Sequence, residues 1–130
     1  MRLCELTWGC ENITIGEIAA RTNLPASTLR YYEKLGLIQV DRKPNGQRCY
    51  AESDIAWIGF IRRLKETGMK LCDIQKYARL RYAGASTMPE RLAILVLHRQ
   101  YILEQQQKWQ EYGRNLEEKI AFYKNEISRL

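Results

Sequence analysis

The chain has 130 residues, 45% of them hydrophobic, and a formal net charge of +6. That length allows one domain, or a small domain with an extension, and the apolar share is enough to build a core. No window has the apolar length of a membrane span, and Met1–Asn12 lacks the continuous apolar run of a signal peptide. A soluble cytoplasmic protein is therefore expected, with Cys4, Cys10, Cys49 and Cys72 as reduced thiols.

The charge is unevenly spread. Residues 1–82 hold 14 Lys/Arg against 9 Asp/Glu, whereas residues 83–130 hold 7 against 6. The positive excess belongs to the front of the molecule, where it suits a polyanionic partner.

Residues 1–12 lack periodicity and read as an extension. Thr14 and Glu17 have the spacing of a capping box, and Ile15, Ile18 and Ala19 give the helix that follows an apolar face. Pro25 suits the first turn of a second helix, which Leu29, Tyr32 and Leu35 line and Gly36 ends. Two short helices in about 23 residues make a helix-turn-helix. The run Leu37–Val40 is β-prone. Pro44-Asn45-Gly46 is a hairpin signal, and Gln47–Tyr50 provides a return strand. The hairpin is a wing carrying Arg42, Lys43 and Arg48.

Residues 54–66 repeat Ile55, Ile58, Ile61 and Leu64 at helical spacing, and Gly68 stops them. Leu71–Tyr82 reads as a further helix with Ile74, Tyr77 and Ala78 inward. Gly84-Ala85-Ser86 is a linker. Thr87 and Glu90 offer a second capping box, with Pro89 in the first turn.

A 3,4 alternation then runs through Met88, Leu92, Leu95, Arg99, Ile102, Gln106, Trp109, Gly113, Leu116, Ile120, Tyr123, Ile127 and Leu130. The stripe is too long for a small domain to cover, so a two-chain coiled coil is expected. The aromatic set Trp109, Tyr112, Phe122 and Tyr123 is expected to be coil packing, with a small hydrophobic site at the dimer interface as the alternative. If residues 88–112 overlap in an antiparallel pair, the overlap is roughly 37 Å. Successive major grooves on one DNA face lie about 34–36 Å apart.

DNA recognition needs side chains that anchor on phosphates and others that reach base edges. Residues 25–35 supply Ser27, Thr28, Arg30, Tyr31 and Lys34 over two turns. Arg30 can pair with guanine through two bonds or clamp a phosphate. Tyr32 is expected in the core and Tyr31, one position round the helix, outside.

Several runs together resemble the MerR family of bacterial transcription regulators: Ile15–Ala19, Thr28–Glu33, Gly36–Ile38, Arg42 with Asn45-Gly46, Arg48-x-Tyr50, Asp54-Ile55, Phe60–Leu64 and Gly68. The likeness covers residues 13–82 at motif level and is architectural beyond. It implies a mostly α fold, with a winged helix-turn-helix DNA-binding domain at 13–82 and a long antiparallel coiled-coil dimerisation helix at 87–130. Ending at Leu130, the chain is expected to be a short form without a C-terminal effector domain.

The resemblance also implies roles. Ser27, Thr28, Arg30 and Tyr31 match the recognition helix, with Thr14 and Lys34 beside it. Arg42, Arg48 and Tyr50 match the backbone-gripping wing, where Lys43 is also a candidate DNA contact, and Lys65 falls near the second helix-turn-helix, where the family also touches phosphate. Leu92, Leu95, Arg99, Ile102, Gln106, Trp109, Leu116 and Ile120 are assigned to dimerisation. The implied partners are a second copy of the chain, a pseudo-palindromic operator in promoter DNA, and RNA polymerase indirectly; no membrane is involved. The implied place is the nucleoid of a bacterial cytoplasm. The implied mechanism is effector-controlled bending and untwisting of an overlong promoter, a form of indirect readout. A repressor or accessory module without effector response is the alternative.

The sequence departs from the family in three helix caps. Pro25, Ala51 and Lys70 stand where a serine is usual, each at a cost on the order of 1 kcal/mol. Residues 73–130 contain no cysteine, so the family's thiol metal site and a C-terminal iron–sulfur cluster are not expected, and neither metal nor cofactor is assigned. Short relatives of this shape include regulators of aldehyde and electrophile stress. Those that sense through a cysteine in the third helix need one near Arg62 or Arg63, and this chain has none. Cys49, among wing cations, and Cys72, at a helix start, are the candidate sensing thiols. No catalytic constellation is present: the lone histidine, His98, falls in the heptad helix and is expected to face outward.

Overall fold

A computed structural model describes residues 13–130; the expected extension, with Cys4 and Cys10, lies outside the described residues. The elements are α1 (Ile15–Thr22), α2 (Ala26–Lys34), β1 (Asp41–Arg42), β2 (Arg48–Cys49), α3 (Glu52–Glu66), α4 (Leu71–Ala83), a 3₁₀ turn (Ala85–Thr87) and α5 (Met88–Ser128). The mostly helical fold with a hairpin wing is as expected. The chain divides into two compact units, one running to Arg91 and the other spanning Leu92–Leu130. That boundary falls inside α5, one turn beyond the expected junction at residue 87.

In the first unit, α1 starts at Thr14, whose hydroxyl accepts the Glu17 N–H at 3.1 Å. Only this half of the capping box forms, because the Glu17 carboxylate meets the Thr14 hydroxyl and not its backbone. Asn23 closes the helix in the left-handed conformation, φ 57°. Pro25 is the N-cap of α2, one position before the expected first turn. Gly36, at φ 79°, lets the chain leave α2, and the Leu37 N–H returns to the Tyr32 carbonyl at 3.0 Å.

Neither α1 nor α2 ends alone. Arg62 on α3 donates through Nη1 to the Thr22 carbonyl at 3.2 Å, and Gln75 on α4 donates to the Leu35 carbonyl at 2.9 Å. Helix ends leave carbonyls without intrahelical partners, and here the second helix pair supplies the donors. The starts of α2, α3 and α4 lack side-chain caps, as the sequence implied. At α3 the Asp54 carboxylate reaches back to the Ala51 N–H at 2.8 Å and offsets part of that loss.

Leu37–Val40 is not a strand. Leu37 and Ile38 are buried, and the Leu37 carbonyl accepts the Trp57 indole N–H at 2.9 Å. Core packing and a side-chain donor take the place of a ladder. Pairing begins only at Asp41, opposite Cys49, with Arg42 opposite Arg48. Ile13 bridges to Tyr50 and ties the start of the described chain to the wing base.

The core joins Ile18, Leu29, Tyr32, Leu37, Ile58, Ile61, Leu64, Ile74 and Ala78. Trp57, absent from the expected face of α3, is buried between Tyr77, stacked at 5.8 Å, and the Arg81 guanidinium, 4.5 Å from its ring centroid.

In the second unit no residue is buried. Leu92, Trp109, Leu116, Ile120, Tyr123 and Ile127 of the predicted seam are exposed, as are Val96, Leu97, Leu103 and Phe122 beside it. Leu95 and Ile102 are half-buried, and Arg99 and Gln106 exposed. His98, expected outside, is half-buried and stacks on Tyr101 with ring centroids 6.0 Å apart.

Candidate nucleic-acid interface

Helix α2 presents two faces. Leu29 and Tyr32 are buried, while Ser27, Arg30, Tyr31 and Lys34 are exposed and Thr28 is half-buried. The 3.6-residue period separates them: residues 27, 30, 31 and 34 follow one another at i+3, i+4 and i+7 and share a stripe. That stripe holds two cations and two hydroxyls. Tyr31 is 53% exposed, so a surface of this size beside Arg30 is free for a ligand.

The wing stands beside this helix, held by Glu33. The Arg48 Nε donates to one Glu33 oxygen at 2.9 Å and Arg42 Nη2 approaches the other at 3.5 Å. Arg42 also donates to the Gly46 carbonyl at 3.2 Å, across the tip of the hairpin. At the tip the Lys43 N–H bonds the Gln47 carbonyl, the Asn45 side chain accepts the Gln47 N–H, and Gly46 takes φ 87°. A shallow open pocket lies between the wing and the start of α1, lined by Thr14, Ile15, Arg42, Gly46, Gln47 and Arg48.

These contacts revise three expectations. Arg48 is half-buried against Glu33, so it orients the wing instead of standing free beside it. Tyr50 is 1% exposed and belongs to the core, out of reach of a phosphate. Burial raises its phenol pKa above the ordinary value, with Glu33 and Asp54 adding to the effect and Arg48 and Arg42 opposing it. Cys49 is buried and disulfide-bonded, which corrects the expectation of a reduced thiol there. Cys72 is a free, exposed thiol.

The remaining assigned residues stand where a ligand can reach them. Thr14 and Lys65 are exposed and Lys43 is half-buried. The Lys65 ammonium sits 5.4 Å from the Tyr32 ring centroid, which positions it at the back edge of α2. Glu33, Arg62 and Gln75 organise this surface without having been singled out beforehand. Their signal is tertiary: each meets its partner across a gap of 15 to 40 residues.

Among the described residues, no group of three His, Cys, Asp or Glu is placed to hold a metal ion, and no helix is long and apolar enough to cross a membrane.

Residues 13–80 match the model of the MerR HTH family regulatory protein, and residues 55–119 match the MerR DNA-binding model. An HTH-type transcriptional regulator of Haemophilus influenzae is 34% identical over 111 residues, which cover 85% of this chain and 82% of that protein. The HTH-type transcriptional regulator AdhR of Bacillus subtilis is 40% identical over 93 residues, covering 71% of this chain and 66% of AdhR. Among solved structures, HiNmlR, a MerR family regulator lacking the sensor domain and bound to promoter DNA, superposes with a TM-score of 0.77 at 34% identity, over 86% of this chain and 90% of that one. A MerR family transcriptional regulator from Bacillus thuringiensis gives 0.72 at 30% identity, over 83% and 96%.

Proposed function

The chain belongs to the MerR family of DNA-binding transcriptional regulators, which are not enzymes, and from that premise we propose that it works as a homodimer on a pseudo-palindromic operator within a promoter. The observation that carries this reading is the split of α2 into a buried edge, Leu29 and Tyr32, and an exposed edge, Ser27, Arg30, Tyr31 and Lys34. The exposed edge enters the major groove, with Arg30 and Tyr31 reading bases and Ser27, Thr28 and Lys34 anchoring on phosphate. Thr14, the wing residues Arg42 and Lys43, and Lys65 flank it along the backbone. Residues 13–82 form the DNA-binding domain and residues 87–130 the dimerisation helix.

The exposed stripe through Leu92, Trp109, Leu116 and Ile120, with the half-buried Leu95 and Ile102, is covered by the same stripe of a second chain, wound antiparallel as a coiled coil. Two copies then hold two recognition helices one DNA turn apart. The dimer distorts an overlong promoter spacer when its effector binds, and RNA polymerase senses only the reshaped DNA. Cys72, free and exposed at the start of α4, is the thiol an electrophilic stress signal would reach. The protein acts on the nucleoid, within a bacterial cytoplasm.

Run-off transcription on the promoter recovered by in vitro selection tests this, with and without a small electrophile such as an aldehyde. Transcript rising with electrophile supports the full reading. Binding with steady repression leaves a plain repressor. Light scattering that reports a monomer at micromolar concentration overturns the dimer.

A further inference from the structure

Residues 35–40, between α2 and β1, belong to no helix or strand. Gly36 turns the chain there, and Leu37 and Ile38 behind it are buried. A buried backbone outside a helix or a ladder still needs partners for its N–H and C=O groups. Three side chains supply them, all from α3 and α4. Gln75 Nε2 donates to the Leu35 carbonyl at 2.9 Å, and Trp57 Nε1 donates to the Leu37 carbonyl at 2.9 Å. The Tyr82 hydroxyl accepts the Gln39 N–H at 3.0 Å.

The three bonds fall at every second residue, as bonds along one edge of a strand do, with side chains in the place of a neighbouring strand. Gln75 and Tyr82 are seven residues apart on α4, so they lie on one face about two turns from each other. Trp57 reaches the segment from α3 and is braced by α4. Its ring stacks on Tyr77 at 5.8 Å, meets Tyr82 edge-on at 6.5 Å and has the Arg81 guanidinium 4.5 Å from its centroid. The groups that hold the segment are therefore packed against one another.

We propose that Gln75, Trp57 and Tyr82 are positioning residues for DNA recognition, holding the segment Leu35–Gln39 so that α2 and the wing engage a duplex together. The inference rests on the DNA-reading roles given above to α2 and the wing. The place of the segment in the chain is what gives the three bonds this consequence. It leaves the end of α2, which carries Arg30 and Tyr31, and leads into β1, which carries Arg42. A segment held at residues 35, 37 and 39 fixes where the wing begins relative to where the helix ends. The Glu33–Arg48 bond joins the same two elements directly. Hydrogen bonds to base edges weaken over a few tenths of an ångström, so play in this segment is felt in sequence reading before it is felt in attraction to phosphate.

The test measures affinity of the full chain for an operator recovered by in vitro selection and for random duplex of the same length, across a salt series. Gln75→Met keeps the length of the side chain and loses the donor, and Tyr82→Phe loses only the hydroxyl. Each should lower the ratio of operator to random affinity by about fivefold, the share of one hydrogen bond. Random-duplex affinity and the salt slope should stay at wild-type values, since no charge changes. Gln75→Lys returns a donor on a stem of similar reach and should recover the ratio, in which its added charge cancels. Partial unfolding lowers both affinities alike and leaves their ratio unmoved. Ile74→Val, a trim of a buried side chain on the same helix that breaks no bond to the segment, is the control and should keep the ratio. A wild-type ratio in both Gln75→Met and Tyr82→Phe overturns the inference, and so does an equal fall in Ile74→Val. A wild-type chain that prefers no sequence over random duplex overturns the DNA-reading roles themselves.

Discussion

The Glu33 carboxylate on α2 holds Arg48 of the wing through a 2.9 Å bond from Nε, and both side chains are about three-quarters buried. This bond fixes the wing against α2, the helix proposed to read DNA, and Arg42 joins it at 3.5 Å.

Glu33→Gln should release both arginines. Arg42 already flanks the backbone in the proposed complex, and the freed Arg48 can then join it, so the salt dependence of binding should steepen by about one ion. Discrimination between operator and random DNA should fall, by roughly tenfold, because the wing is no longer held in place. Fluorescence anisotropy across a salt series measures both; a shallower salt slope would refute the account.

Arg30→Ala should cost roughly 1–3 kcal/mol of specific binding if the guanidinium reads a base, with specificity relaxed at one operator position. Equal weakening on all sequences would make it a phosphate contact. Competition against single-base operator variants separates the two. Stability should not change, since Arg30 is exposed and Leu29 beside it does the packing.

Trp57→Phe should destabilise the fold by about 1–3 kcal/mol, because it strands the buried Leu37 carbonyl that the indole N–H now satisfies. Trp57→Ala should cost about 3–5 kcal/mol, adding a cavity beside Tyr77 and the loss of the Arg81–ring contact. Urea titration followed by circular dichroism reads both. The order matters more than the sizes: a phenylalanine variant as stable as wild type would show that the indole bond contributes nothing.

Alkaline pH should unfold the protein through two phenols. Burial raises the pKa of Tyr50 and of Tyr82 above the usual value, though for Tyr82 the bond from the Gln39 N–H opposes it. Folding thus favours the neutral form. The stability this gives is complete below the unfolded pKa of about 10 and is lost as pH rises through the folded values. The Tyr50 hydroxyl is buried without a hydrogen-bond partner among the described residues, whereas the Tyr82 hydroxyl accepts the Gln39 N–H at 3.0 Å. At neutral pH, Tyr50→Phe should therefore be neutral or stabilising, and Tyr82→Phe should cost about 1 kcal/mol. Both variants should hold their stability to higher pH than wild type; melting curves from pH 8 to 12 check this.

Much of this architecture follows from short-range chemistry. Periodic apolar residues specified the helices, Asn45-Gly46 the wing tip, Gly36 and Gly68 the helix stops, and the spacing of Leu29 and Tyr32 put Arg30 and Tyr31 outside. Each of these depends on residues a few positions apart, so the pattern is visible in the chain itself. Long-range pairing is not. Nothing near Glu33 identifies Arg48 as its partner, nor does anything near Arg62 or Gln75 point to the carbonyls of Thr22 and Leu35, 40 residues away. Leu37–Val40 has strand propensity, yet burial and the Trp57 bond hold it out of the ladder. Thr87 has a cap's spacing, yet its hydroxyl turns back to the carbonyls of Leu80 and Gly84. A polar group takes the partner that folding brings nearest, and only the assembled tertiary structure decides which partner that is.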